Sequence, residues 1–128
     1  MFQVRFFKNR QGEQPVKQML LELKARIATD KDARINFVKI IDYIRVLHQR
    51  GTAAGQPYIK HLDGEIWELR PLRNRILFAA VHENTFYLLH HFVKKTQKTP
   101  PKEIEQAKRE YLYLMESEEM NNEQKSNR

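Results

Sequence analysis

The chain has 128 residues, a formal net charge of +7 and no cysteine. Its length fits a single domain that buries a core without metals, and the lack of cysteine excludes disulfides and zinc–thiolate sites. No stretch approaches the roughly 20 apolar residues of a membrane span, and the opening MFQVRFF lacks the pattern of a signal peptide, so we expect a cytoplasmic protein with no membrane partner. The basic excess favours a polyanionic partner such as nucleic acid.

The N-terminal half of the chain predicts one strand followed by two helices. Residues 2–8, FQVRFFK, are rich in aromatic and β-branched side chains, which favour a strand. Apolar residues then recur at helical spacing over residues 15–28, where the leading proline suits the first turn of a helix. Thr29 or Asp30 can cap a second helix, for which Gly51 is a natural stop. We expect the two helices to form an antiparallel pair.

The C-terminal half predicts a meander of strands and a final helix. The runs that favour strands are bounded by turn residues and span 58–62, 65–69, 76–81 and 86–93. Thr99 can cap a helix that begins at Pro101. Periodicity is lost after residue 115, so we expect a single domain over residues 1–115 and a polar, disordered tail over residues 116–128. The order of elements predicts an α+β fold, in which a twisted, mostly antiparallel sheet packs against two N-terminal helices and a C-terminal helix.

Basic residues are concentrated around two predicted strand ends. Between residues 70 and 98 the only acid is Glu83, and six cations occur: Arg70, Arg73, Arg75, Lys94, Lys95 and Lys98. Arginine binds phosphate through a planar set of donors and stays charged at any working pH. If the two strands pair, the lysines lie near the arginines and the two groups form one phosphate-binding site. The alternatives are a solvated hairpin rim and a basic loop that only aids solubility.

Histidines and aromatic residues supply weaker candidates. His90 and His91 are adjacent in a predicted strand, so their side chains point to opposite faces and do not easily enter one site. A histidine can act as a general acid or base, although a surface or core role is commoner. Tyr58 is a candidate for stacking on a base, whereas Trp67 fits the core better. No HExxH or CxxC spacing occurs, so we expect neither a metal site nor a cofactor.

The segment WELRPLRNRILFAAVHENTFYLLHHFVKKTQKTPPKEIEQAKRE resembles the phage-derived branch of the RelE/HigB toxins of type II toxin–antitoxin systems. The shared features are the E-L-R strand end, an arginine-plus-apolar strand, and F-x-K-K-T-x-K-T-P leading into E-I-x-x-A. The resemblance implies the compact RelE-like fold and an endoribonuclease that cleaves mRNA, usually in the ribosomal A site, and so inhibits translation. It also implies a helix-turn-helix antitoxin as partner, with operator DNA bound through the toxin–antitoxin complex.

The resemblance also assigns roles to individual residues. The catalytic positions of the family fall on four basic residues of this chain: Arg70, Arg75, Lys94 and Lys95. Four further residues are expected to contact RNA: Arg73, Lys98, His91 and Tyr58. Some relatives place a tyrosine after the basic segment, where this chain has Pro100 and Pro101, so the tyrosine role has no clear match here.

The resulting hypothesis is metal-independent cleavage in which the ribose 2′-hydroxyl attacks the adjacent phosphorus. Arg70 and Arg75 would stabilise the charge that develops on the phosphate. Lys94 or Lys95 would serve as the base. Two alternatives stay open: a ParE-like toxin would bind and poison DNA gyrase without cleaving RNA, and an inactive member would only co-repress with its antitoxin.

Overall fold

The computed structural model describes residues 1–126, with side chains through Glu118. The described residues form five strands: β1 Gln3–Phe6, β2 Ile59–Asp63, β3 Ile66–Leu69, β4 Asn74–Val81 and β5 Thr85–Val93. They also form three α-helices and a short 3-10 turn: α1 Pro15–Ala25, α2 Lys31–Arg50, α3 Pro101–Ser126 and the turn Gly51–Ala54. The fold is therefore mixed α+β, as the order of elements predicts.

Local signals in the sequence determine where the first two helices begin. Pro15 occupies the first turn of α1, where its missing N–H is not needed. The α1 helix ends a few residues before position 28, because the Arg26 N–H already bonds back to carbonyls of the last turn. The cap of α2 is Asp30, whose Oδ1 accepts the Ala33 N–H at 3.1 Å. Of the two candidate caps, Thr29 therefore does not serve.

Gly51 ends α2 for two physical reasons. Its φ of 61° lies in the left-handed region, where a side chain is strained. A Cβ at this position would also stand 2.7 Å from ring atoms of Phe2. The glycine therefore both turns the chain out of the helix and lets the N-terminal segment pack against it.

The sheet has the strand order β1-β5-β4-β3-β2. The three hairpin pairings β2–β3, β3–β4 and β4–β5 are antiparallel, and β1 adds to the outer side of β5 in parallel, with Gln3 opposite Thr85. A bulge between Leu77 and Phe78 interrupts the β4–β5 ladder. The predicted meander is therefore present, and the N-terminal strand completes the sheet at one edge.

Helices cover both faces of the sheet. The α1–α2 pair packs on one face over a cluster that includes Ile76 and Phe78 from β4. The α3 helix packs on the other face over a cluster that includes Leu77, Ala79 and Val81. The run ILFAAV is buried on both faces except at Ala80, which is exposed, and this explains why it is apolar, as expected for a central strand covered on two sides.

The α3 helix extends well beyond the apolar stripe from which it was predicted. Its backbone stays helical to Ser126, through residues for which loss of periodicity predicts a disordered tail. The domain boundary after residue 115 stays a prediction, and residues 127–128 of the predicted tail lie outside the described part of the chain. None of the described helices is both long enough and apolar enough to cross a bilayer.

Candidate phosphate-binding site

Two basic segments meet where β4 begins and β5 ends. The register pairs Asn74 with Val93, so the residues that flank this pair are brought together. The Lys94 N–H donates to the Arg73 carbonyl at 2.8 Å, and the Arg73 guanidinium donates to the Lys94 carbonyl at 3.1 Å. The arginines of one segment and the lysines of the other therefore lie at the same end of the sheet.

Behind this exposed contact lies a buried charge cluster. Glu68 is only 2% exposed, and its carboxylate lies 3.6 Å from Arg70 Nε and 3.9 Å from Arg75 Nε. Arg75 is 5% exposed, and its Nη1 donates to the carbonyls of Leu72 and Asn74, both at 2.8 Å. Burial lowers the pKa of Arg75, an effect that the charge of Glu68 opposes. One carboxylate thus holds two guanidinium groups in the α3-facing layer of the sheet.

Arg70 Nε is buried in this cluster, and the Glu68 carboxylate lies 3.6 Å from it. This distance is that of an ion pair rather than of a hydrogen bond. The negative charge of Glu68 therefore compensates the buried part of the Arg70 guanidinium.

The segment 94–100, here called the covering segment, lies over Arg75. The Thr99 hydroxyl donates to Glu68 Oε1 and ties the end of this segment to β3. Beneath the segment, Arg75 and Phe92 line only a small cavity. A phosphate therefore reaches Arg75 only when the covering segment moves. The sequence alone does not show that Arg75 is covered.

The remaining predicted phosphate ligands lie on the outside. Arg73, Lys95 and Lys98 are exposed, whereas Arg70 and Lys94 are half-buried. The six cations of the two basic segments therefore divide into an exposed rim and a buried interior rather than one open patch.

His91 lies on the opposite face of the sheet from Arg75. The Asn36 amide donates to the Asp32 carbonyl, and the Asn74 amide donates to the Pro71 carbonyl and to Asn36 Oδ1. These carbonyls only accept hydrogen bonds, so both amide orientations are defined. Asn74 Oδ1 then needs a donor, which His91 Nε2 supplies at 3.1 Å. His91 is therefore held as the tautomer with hydrogen on Nε2.

The pKa of His91 falls to about 4, first because of burial and then because of the neighbouring His90. At neutral pH its ring is therefore uncharged. His91 lines a groove of about 540 Å³ between the helical pair and the sheet, which it shares with Arg73. It contributes no positive charge to phosphate binding, and the structure does not bring it together with Arg75.

Tyr58 packs against other side chains of the protein. Its ring packs edge-on against Tyr43, with the ring centres 5.0 Å apart, and it borders the core under the α1–α2 pair. Its carbonyl accepts the Arg70 N–H at 2.9 Å. Tyr58 therefore positions the backbone of Arg70, and its ring is half-buried against Tyr43. A contact between Tyr58 and RNA stays a prediction.

Sequence reasoning missed two polar residues that organise this region, Glu68 and Asn74. It assigned Thr99 to capping α3, whereas the Thr99 hydroxyl bonds Glu68. Glu68 was visible only as the acid of E-L-R, at an alternating strand position beside two arginines. Its signal was that an acid on a buried strand face needs a cationic partner. In the described part of the chain, no three His, Asp or Glu side chains converge in a way that could hold a metal ion.

Comparison with known proteins supplies the family. The model of the family described as "Phage derived protein Gp49-like (DUF891)" matches residues 27–112, about two thirds of the chain. No curated protein matches the chain. The matched region contains both basic segments, Glu68 and the covering segment. The match to this family model does not distinguish HigB toxins from the other members of the fold family. The chain belongs to the Gp49-like phage-derived family, which is part of the RelE/ParE-like toxin fold family.

Proposed function

We propose that this chain is the toxin of a type II toxin–antitoxin pair and that it cleaves messenger RNA on the ribosome. The observation that carries the proposal is the grouping of Arg70 and Arg75 around Glu68, directly behind the exposed Arg73–Lys94 contact. This arrangement offers outer cations that attract the RNA backbone and inner guanidinium groups that can hold one phosphate. Membership of a toxin fold family supports the same conclusion.

The chemistry is a transphosphorylation within the RNA. The ribose 2′-oxygen bonds to the adjacent phosphorus and the bond to the 5′-oxygen breaks, which leaves a 2′,3′-cyclic phosphate and a 5′-hydroxyl. Lys94 or Lys95 takes the 2′-hydroxyl proton, and a second lysine supplies a proton to the leaving oxygen. Arg70 and Arg75 stabilise the charge on the phosphate oxygens. This scheme needs no metal ion, because the arginines supply the positive charge.

Glu68 is a positioning residue in this scheme. It is buried between the two arginines and holds their guanidinium groups side by side before RNA binds. A phosphodiester bound at Arg70 Nε would compete with Glu68 for the same donors. Movement of Thr99 away from Glu68 would open the way to Arg75.

The partners follow from the proposed system. A helix-turn-helix antitoxin would bind and silence the toxin, and the complex would bind operator DNA. The basic excess of the chain suits an acidic antitoxin surface as well as RNA. A short reading frame for a helix-turn-helix protein beside the gene would support this pairing.

The test is to map transcript ends after expression in cells. Wild type is expected to produce new 5′-hydroxyl ends and to arrest translation, and Arg70→Ala is expected to reduce cleavage at least about tenfold. Arg75→Lys keeps the buried charge but removes the planar donor set, and its folding is checked by circular dichroism. Lys17→Ala, on the exposed side of α1, is the matched control and should cleave like wild type. Unchanged cleavage in both arginine variants would falsify the assignment.

The burial of Arg75 favours a second candidate, a toxin that acts by binding alone. A guanidinium that is 5% exposed and closed beneath residues 94–100 is suited to structure as well as to catalysis. Such a protein would act as a ParE-like poison of DNA gyrase or as an inactive co-repressor. A DNA damage response on induction, without new RNA ends, would indicate the gyrase poison, and absence of any growth arrest would indicate the co-repressor.

A further inference from the structure

A second cavity adjoins the same end of the sheet. It is open, measures about 570 Å³, and lies between the end of β5 and the first turn of α3. Its wall combines one aromatic ring, two lysines and a carboxylate, from Phe92, Lys95, Lys102 and Glu103. Both lysines are exposed, whereas Phe92 and Glu103 are half-buried.

Glu103 is held in a defined orientation. The Gln106 amide nitrogen hydrogen-bonds with His90 Nδ1 at 3.3 Å. His90 Nε2 then donates to Glu103 Oε2 at 2.5 Å. The side chains of His90 and Glu103 are 15% and 16% exposed, so this pair is mostly buried, and Glu103 still lines the cavity. No protein group in the described part of the chain donates to Glu103 Oε1.

The Phe92 ring lies beside His90 on the same face of β5. His90 stacks on it, with ring centres 6.2 Å apart and planes inclined by 29°. An aromatic ring fixed beside lysines is the combination with which proteins bind unpaired nucleotides, because the ring stacks on a base while the cations contact phosphates. Lys95 and Lys102 are placed for the second task.

The carboxylate makes this cavity selective. A carboxylate accepts hydrogen bonds and donates none, so it favours a base edge that presents adjacent donors. Guanine presents two, N1–H and the N2 amino group. Adenine and cytosine place an acceptor beside their amino group, and uracil flanks its N–H with two carbonyls. Glu103 therefore matches guanine best and disfavours uracil.

We propose that this cavity binds a guanine base of single-stranded RNA, with Phe92 as the stacking surface and Glu103 as the acceptor for its Watson–Crick edge. The inference rests on the proposed function, since it assumes that the basic edge binds RNA. It deepens that function by naming the base that the protein prefers next to the bound phosphate.

The test uses 2′-O-methyl RNA pentamers, which the proposed reaction does not cleave, with a central guanine, inosine, adenine, cytosine or uracil among flanking uracils. Dissociation constants are measured by fluorescence anisotropy with the full-length protein. The guanine pentamer is expected to bind about tenfold tighter than the uracil pentamer, as is typical of a bidentate base contact. Inosine, which lacks the N2 amino group, should fall between them.

Two variants and a control test whether Glu103 causes the preference for guanine and whether Phe92 contributes to binding. Glu103→Gln replaces two acceptors by one acceptor and one donor, so the preference for guanine should fall to about twofold or less. Phe92→Leu should weaken binding of all pentamers while the ratio between guanine and uracil persists. Glu105→Gln makes the same change on the exposed side of α3 and should leave the preference intact.

The possible outcomes separate this inference from the proposed cleavage. Binding of RNA without guanine preference, or a preference that persists in Glu103→Gln, overturns the guanine subsite alone. No binding of any pentamer overturns it as well. Guanine preference that depends on Glu103, in a protein that produces no new RNA ends in cells, supports the subsite and overturns the nuclease.

Discussion

The Thr99 hydroxyl donates a hydrogen bond to the carboxylate of Glu68, a residue 31 positions earlier in the chain. This contact joins the end of the covering segment to the charged interior of the sheet. It places Thr99 against the carboxylate that lies beside both Arg70 and Arg75.

Thr99→Val tests that contact directly. Valine keeps the shape of threonine but leaves Glu68 without this donor, so the free energy of unfolding should fall by about 2 kcal/mol, as for other hydrogen bonds to charged groups. Urea denaturation measures the change. Thr96→Val, which loses a hydrogen bond between exposed atoms, should cost less than about 0.5 kcal/mol. Equal effects of the two substitutions would show that Thr99 does not hold the segment closed.

Glu68→Gln should change both stability and anion binding. Loss of the buried negative charge leaves two guanidinium groups without their carboxylate, and the free energy of unfolding should fall by about 3 kcal/mol. Added inorganic phosphate should restore more stability to this variant than to wild type, because it supplies the negative charge that the two arginines lack once Glu68 is replaced. Thermal melts at increasing phosphate concentration measure both effects. Glu65→Gln, in the exposed β2–β3 turn, should show neither, and a like response of the two variants would contradict the role of Glu68.

His91 should make the protein less stable in mild acid. The pKa of His91 lies near 4 in the folded state, against an ordinary value of 6.5. Its contribution to the free energy of unfolding is therefore complete above pH 6.5 and is lost as the pH falls towards 4. Between pH 7 and pH 5 the unfolded state takes up the proton first, and this should remove about 2 kcal/mol of the contribution of His91. Glu110, whose pKa is raised, acts in the opposite direction over the same range, so the loss is read as the difference between wild type and His91→Gln. Urea denaturation at both pH values measures the loss.

A comparison of two histidine variants assigns this pH effect. His91→Gln retains a donor for Asn74 but does not titrate, so its stability should fall less between pH 7 and pH 5. His48→Gln, at the exposed end of α2, should leave the wild-type difference in place. If His91→Gln loses as much stability as wild type, another group causes the acid sensitivity.

Glu110 should destabilise the protein at alkaline pH. Burial is the main cause that raises its pKa to about 7, and its Oε1 makes no hydrogen bond. Because folding raises this pKa, ionisation of Glu110 favours the unfolded state. The free energy of unfolding should therefore fall as the pH rises from 4.5, the ordinary pKa of a glutamate, towards 7. Glu110→Gln should therefore raise the free energy of unfolding at pH 8 by about 1 kcal/mol, given solvent screening of this half-buried group, and change it little at pH 5. Glu105→Gln is the control, and no difference between pH 8 and pH 5 would contradict the prediction.

Local signals were sufficient to predict most of the secondary structure. Pro15, Asp30 and Gly51 act within a few residues of their own position, so the sequence around them shows where helices begin and end. The position of β1 was not predictable in this way, because Gln3 pairs with Thr85 and nothing near either residue specifies the other.

The site was predictable only in part for the same reason. Strand pairing was enough to bring Arg73 to Lys94, since a short hairpin joins their strands. The burial of Arg75 depends on residues 94–100, which fold back over it from a later part of the chain. A basic residue at a strand end looks the same in a sequence whether a later segment covers it or leaves it exposed.

The parallel pairing of β1 with β5 also affects how the protein is made. The first strand leaves the ribosome before its partner exists, and at about 5–20 residues per second the roughly 80 intervening residues take about 4–16 s to synthesise. During that time the aromatic segment FQVRFF has no neighbouring strand, and its backbone donors and acceptors are open to other chains. Chains that stop short of β5 would keep this strand unpaired, so prematurely ended products should aggregate more readily than the complete protein.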